Sequence, residues 1–332
     1  SDVCSSDLKV ARNGTVFHNA HCSAPKSCPS RTSFMSGKDP DYTGIYNNED
    51  IQLVWRDNFR VSAKDTIVYS MAEAMKSNGY YTMGINKVYF GWKNEEYDND
   101  YDIDNPDPCS RGLSFSKNVV ITPDPSLIDY QNEGIPGFIW APTPDSTEHL
   151  MLDVAAADTA IDFLHQYAAN PSDFCNRPFM LQLGLFLPHK PLTLPEKYFP
   201  EDYIKPDEWY DEPFDPAYNE PYNAFPPNGV IMPPQPPDGF WTDFFNLGVL
   251  GQSLAKGGDN HARFEEYPNL ISPKPVIDST LSPAEVDFAI AESKRANAVA
   301  AYKAAVKFTD YHAGRVLDVL ESYPDQIGRA HV

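Results

Sequence analysis

The chain has 332 residues, is 42% hydrophobic and carries a formal net charge of -21, so it is long and apolar enough to bury a large α/β core in one domain or two. So acidic a chain repels nucleic acid and anionic membrane surfaces, and no apolar run approaches the roughly 20 residues that cross a bilayer. An anionic substrate needs a local basic site working against this field, which makes any cluster of Lys, Arg and His informative.

In chain order, the opening "SDVCSSDL" and the closing "IGRAHV" read as the in-frame translation of a common short-read sequencing adapter on its two strands. Ser1–Leu8 and Ile327–Val332 are therefore set aside from fold reasoning. The native segment is then Lys9–Gln326, an internal piece of a longer protein. "GTVFHNAHC" reads as a strand. "TIVYSMAEAMKSNG" reads as a helix stopped by Gly79, and "YYTMGIN" as the following strand. This βαβ order predicts a parallel sheet. "STEHLMLDVAAADTAIDFLHQYAAN" predicts a second helix capped by Ser146 or Thr147, and "PFMLQLGLFL" a buried strand after it.

From Pro195 to about Pro283 the texture changes to Pro, Asp and aromatic residues, read as a long ordered excursion that covers or walls a site. "SPAEVDFAIAESKRANAVAAYKAAVKFTDYHAGRVLDVLESY" then opens on Ser-Pro with a Glu three residues after the Ser, which predicts one or two long helices. Outside the set-aside end, Cys22, Cys28, Cys109 and Cys175 show no zinc spacing. They are open to two disulfides or to free buried thiols.

The densest chemistry lies in "CSAPKSCPSRTSFMSG", residues 22–37. Pro29 suits the first turn of a helix and Gly37 its stop. Ser27 then sits at or just before a helix N-terminus, where unpaired N–H groups and the helix dipole favour an anion. Arg31, one turn on, offers a planar donor fork for a tetrahedral oxyanion. On local chemistry alone, an N-cap serine and a solvated surface arginine are the favoured reading of these residues.

The stretch "LKVARNGTVFHNAHCSAPKSCPSRTSFMSGKDPDYTGIYNN" resembles the sulfatase family, in its iduronate-2-sulfatase and choline-sulfatase-like branch. Members carry a strand ending in "NAYCSAP" and then a (Cys or Ser)-x-Pro-Ser-Arg motif, here Ser27-Cys28-Pro29-Ser30-Arg31. "SMAEAMKSNGYYTMGINKVYFG" and "RPFMLQLGLFLPHKPLTLPEKYF" resemble later family segments and place Lys87 and His189 at sulfate-contacting positions. The resemblance implies an alkaline-phosphatase-like α/β fold, a mostly parallel central sheet flanked by helices. Residues 9–326 would form an incomplete N-terminal catalytic domain.

It implies hydrolysis of a sulfate ester, on a sulfated small molecule or glycan, through a formylglycine made by oxidising Ser27. Arg31, Lys87 and a divalent cation, usually calcium in the family, would stabilise charge on the sulfuryl oxygens, and His189 would bind sulfate or assist the leaving group. Ser27, as formylglycine, would be one metal ligand, with the paired carboxylate ligands outside 9–326. A serine at this position implies maturation by a radical enzyme rather than the oxygen-dependent one, and the family implies a periplasmic or secreted protein. Two departures stand out: Cys28 is one place out of register with the motif's first residue, and Phe90 replaces a histidine of close relatives. Two other readings remain open: a phosphodiester or phosphonate hydrolase of the same superfamily, and a non-catalytic sulfoglycan-binding protein.

Overall fold

The computed structural model describes residues 5–48, 69–88, 117–119, 134–135, 138–199 and 283–324. The chain divides into two compact units, one of Asp2–Pro123, Leu152–Phe186 and Asp310–Val332, the other chiefly of Asp124–Met151 and Leu187–Thr309. The architecture is mixed α/β, as expected.

The unit that includes residues 2–123 is built on a parallel sheet. Its strands are β1 (Tyr81–Asn86), β2 (Lys117–Val119) and β5 (Phe179–Gly184), in the order β2-β1-β5. Tyr81 pairs with Phe179 and Asn86 with Gly184, so β1 and β5 end level with each other. The first five residues of β1 are buried in succession, as a central parallel strand requires. Helix α4 (Met71–Ser77) leads into it and is held by a capping box: Glu73 N–H donates to Ser70 Oγ and Ser70 N–H to Glu73 Oε2. Gly79, at φ +93°, turns the chain into β1, as the sequence predicts.

Helix α5 (Leu152–Ala169) lays Ala156, Ala157, Ala160, Phe163, Leu164 and Tyr167 against Tyr81, Met83 and Ile85. Small alanines let helix and sheet approach, and aromatic rings fill the far end: Phe174 meets Tyr81 and Phe163 edge-on at 5.0 and 5.4 Å. Each such ring withdrawn from water stabilises the unit by about 1.5–3 kcal/mol. The second helix differs from expectation at its start. Asp145–Leu150 is a 3₁₀ helix and Met151 is extended, so Ser146 and Thr147 cap nothing and α5 begins at Leu152.

A larger correction concerns "GTVFHNAHC", which forms no strand. Residues 14–26 run without regular structure between α1 (Ser5–Asn13) and α2 (Ser27–Ser36), which the single-turn α3 (Pro40–Thr43) follows. Val16 and Phe17 are 53% and 77% exposed. Alternation alone cannot hold an extended segment: a strand needs a neighbour for its backbone groups, and residues 14–26 pair with no strand among the described residues. Helix α1 includes Ser5–Leu8, and Ser6 is buried with its N–H and hydroxyl on Asp310.

In the other unit, β4 (Phe138–Thr143) pairs antiparallel with β3 (Gly134–Ile135) and parallel with β6 (Leu192–Pro195). Trp140, Leu192 and Leu194 are buried there, and Tyr198 meets Phe308 edge-on at 5.1 Å. The final helical stretch is one helix, α6 (Pro283–Glu321), starting on the proline that follows Ser282. Most of the Pro-rich excursion, 200–282, lies outside the described residues, as do Phe90 and Cys109. Cys175 is disulfide-bonded, whereas Cys22 and Cys28 form no disulfide. Among the described residues no helix is long and apolar enough to cross a membrane.

Candidate functional site

Helix α2 begins at Ser27. Lys26 is the N-cap, extended at φ -134° and ψ 148°, and its carbonyl accepts the first helical bond from Ser30 N–H at 3.1 Å. Cys28 N–H is taken by Asn48 Oδ1 at 3.0 Å, and Pro29 has no N–H to satisfy. Cys28, Pro29, Thr32, Ser33 and Met35 face inward, and Gly37 at φ +66° ends the helix. Ser27 is half-buried, and its hydroxyl makes no hydrogen bond among the described residues.

Lys87 follows the C-terminal end of β1, where open parallel sheets place ligands. Asn86 adopts the left-handed conformation at φ +59°, which asparagine tolerates better than most residues, and Val88 N–H closes a tight turn onto its carbonyl at 2.8 Å. Lys87 N–H donates to Gly184 O at 3.1 Å. The approach at Gly184 is close enough that a Cβ there would lie 2.1 Å from the Lys87 carbonyl carbon and oxygen, so only glycine fits.

Arg31 ties α2 to this turn. Its Nη1 donates to Lys87 O at 2.9 Å and to Val88 O at 2.8 Å. One guanidinium nitrogen thus orders backbone, while the rest of the planar fork is left for a ligand. Burial pushes the Arg31 guanidinium below its ordinary value. Lys87 Nζ lies 4.6 Å from the centre of the Phe186 ring. Its ammonium is pushed down to about 8, first by burial, then by the charge of Arg31, and is partly supported by Asp153.

These residues meet in a cavity of about 800 Å³ whose wall includes Lys26, Ser27, Arg31, Lys87, Gln182 and Gly184. Lys26 Nζ donates to Asn47 Oδ1 at 3.0 Å. Among the described residues, three cations and no Asp, Glu or His line the wall. That suits a tetrahedral oxyanion, and it leaves the Ser27 hydroxyl without an imidazole or carboxylate base among the described residues of the wall. Among the described residues no three His, Cys, Asp or Glu side chains cluster to hold a metal ion. Those residues by themselves do not fit a calcium site.

Of the four residues singled out in the sequence, Ser27, Arg31 and Lys87 share this wall. His189 is exposed, is not among the lining residues, and belongs with Leu187–Thr309. Its Nδ1 lies 2.6 Å from the carbonyl of Lys190. Lys26 and Gln182 line the wall without having been anticipated. Both carried a readable signal: a cation immediately before Ser27, and a lone amide inside the apolar run "PFMLQLGLFL".

The sequence model of the sulfatase family matches residues 6–327. A sulfatase of Formosa agariphila is 28% identical over 320 residues, covering 95% of this chain and 50% of that protein. The mouse iduronate 2-sulfatase is 26% identical over 200 residues, covering 57% and 31%. The choline-sulfatase of Rhizobium meliloti is 23% identical over 200 residues, covering 57% and 34%. The chain therefore spans from about a third to a half of these relatives' lengths. With the family match running nearly end to end over a parallel α/β sheet that carries the Ser-x-Pro-Ser-Arg helix, the chain belongs to the sulfatase family.

Proposed function

We propose that the complete protein containing this chain hydrolyses a sulfate ester, on a sulfated carbohydrate, with Ser27 as the site of the nucleophile. The observation that carries this reading is the cavity wall itself: Ser27 at the first residue of α2, three cations beside it and, among the described residues, no imidazole or carboxylate. A serine hydroxyl without a base is a weak nucleophile. Oxidised to formylglycine by a maturation enzyme of the radical type, the same residue supplies in its hydrate one hydroxyl to attack sulfur and a second to expel sulfate.

The chain's other residues bind and orient. Lys87, mostly protonated at pH 7, holds a sulfuryl oxygen. Arg31 presents the rest of its fork to a second oxygen while its Nη1 keeps the Lys87 turn in place. Fixed donors of this kind are each worth roughly 100- to 1,000-fold in rate. His189 is proposed to reach sulfate or the leaving group in the complete protein. Calcium is proposed as the cation of that protein, bound with formylglycine at position 27 and ligands beyond the described residues.

The test is mass spectrometry of the peptide containing Ser27, from complete protein made with its maturation enzyme. Loss of two hydrogens from Ser27, with Cys28 unchanged, is expected, together with loss of aryl sulfate hydrolysis in Ser27→Ala. Full sulfate ester turnover with an unmodified Ser27 would refute the formylglycine step. Faster turnover of an aryl phosphodiester than of the aryl sulfate would favour the phosphoryl-transfer reading. Sulfoglycan binding without turnover would favour the non-catalytic one.

A further inference from the structure

Asp153 is an acid the cavity does not use directly, yet it is only 1% exposed. It occupies the second residue of α5, and its Oδ1 accepts the backbone N–H of Phe186 at 2.6 Å. Phe186 lies two residues past the end of β5, where the chain leaves the sheet level with Lys87. A charged acceptor at that distance makes a strong bond, so the exit of β5 is pinned to the start of α5. The pinned residue is also the one whose ring centre lies 4.6 Å from Lys87 Nζ. A cation over an aromatic face is held electrostatically, more strongly as water is excluded.

A purely structural account is available: an acid in a helix's first turn favours the helix dipole, and a buried N–H needs an acceptor. It does not explain why the anchored residue is the one beneath the lysine, nor why the anchor is itself a charge felt at Lys87. We propose that Asp153 is a positioning residue, whose carboxylate fixes Phe186 and through its ring holds the Lys87 ammonium at the cavity wall. The charged groups that act on Lys87 are Arg31 from α2 and Asp153 from α5, with Lys26 also on the wall. Arg31 disfavours the ammonium and Asp153 favours it. This inference rests on the assignment of Lys87 to sulfate, so its readout is taken at Lys87 itself rather than from turnover alone.

The experiment is competitive acetic anhydride labelling of the complete protein across pH, read at Lys87 by peptide mass spectrometry. Only the neutral amine reacts. Asp153→Asn keeps an oxygen acceptor for Phe186 N–H and removes the charge. Its labelling midpoint at Lys87 should move to lower pH, with labelling at pH 7 at least about threefold faster, while kcat for an aryl sulfate falls about tenfold. Phe186→Leu keeps the backbone bond and Asp153 but removes the ring, and should move the midpoint the same way. A Lys87 profile in Phe186→Leu that superimposes on the wild type, whatever happens to thermal stability, overturns the proposal, because a shift in Asp153→Asn alone is a direct charge effect that bypasses the ring. If Phe186→Leu does not fold, Phe186→Met carries the same comparison. Lys87→Ala decides the underlying assignment separately: unchanged turnover there removes Lys87 from the sulfate site without touching the Asp153 result.

Discussion

Replacing Gly184 by alanine is expected to damage both stability and turnover, through a single contact. The added Cβ would lie 2.1 Å from the Lys87 carbonyl carbon and oxygen and 2.7 Å from Val88 N, where ordinary contact begins at 3.4 Å. The atoms met are backbone, so no rotamer change relieves them. Strand β5 and the Lys87 turn must separate by more than 1 Å. That separation stretches the Lys87 N–H bond to Gly184 O, now 3.1 Å, and disturbs the two carbonyls that Arg31 holds. Overpacking typically costs 1–3 kcal/mol, and adding one strained backbone bond puts the expected loss at about 2–4 kcal/mol. A misplacement of about 1 Å at a reacting group costs roughly 100-fold in rate. Urea unfolding of the protein should show a lower midpoint at unchanged slope, and kcat/KM for an aryl sulfate should fall by at least that factor in the variant that remains folded. A Gly184→Ala protein with wild-type midpoint and wild-type turnover would refute the proposed geometry of the Lys87 turn.

Because Lys87 titrates near 8 in the folded chain, kcat/KM should fall as pH rises through about 8, as the ammonium is lost. In Lys87→Arg any remaining activity should lack that limb, and a limb that persisted would assign it to another group. The same depression makes stability rise with pH between about 8 and the lysine's ordinary 10.5, because the unfolded chain binds the proton more tightly there. In Lys87→Met, denaturant midpoints across that window should lose this slope. Arg31→Ala should leave the Lys87 and Val88 carbonyls without their guanidinium donor and cost about 1–3 kcal/mol along with at least about 100-fold in turnover; full activity in this variant would remove Arg31 from both roles. Ser70→Ala breaks the capping box of α4 and should lower stability by about 1 kcal/mol, read as a shift in thermal midpoint with turnover per folded molecule retained.

What the sequence determined by itself is local, and it follows from backbone chemistry. Pro29 near the start and Gly37 after the end set α2, because a missing N–H costs nothing in a first turn and the left-handed stop favours glycine. "TIVYSMAEAMKSNG" with its stop at Gly79 and "YYTMGIN" likewise announce a helix and the strand that follows it, although only the structure shows that α4 begins at Met71 behind the Ser70 cap. "GTVFHNAHC" misled because alternation states which face could be buried, not whether a neighbouring strand exists to bury it. At the site, Ser27 and Arg31 were legible as one turn of one helix, and Lys87 through the family-like segment around it. Tertiary structure alone decided that Arg31 spends one nitrogen on the carbonyls of Lys87 and Val88, that Gly184 must lack a side chain, and that Asp153 grips Phe186 beneath the lysine. These contacts join residues 31, 87 and 153 to the neighbours 184 and 186, stretches that lie far apart in the chain and that only the pairing of β1 with β5 beneath α5 brings within bonding distance.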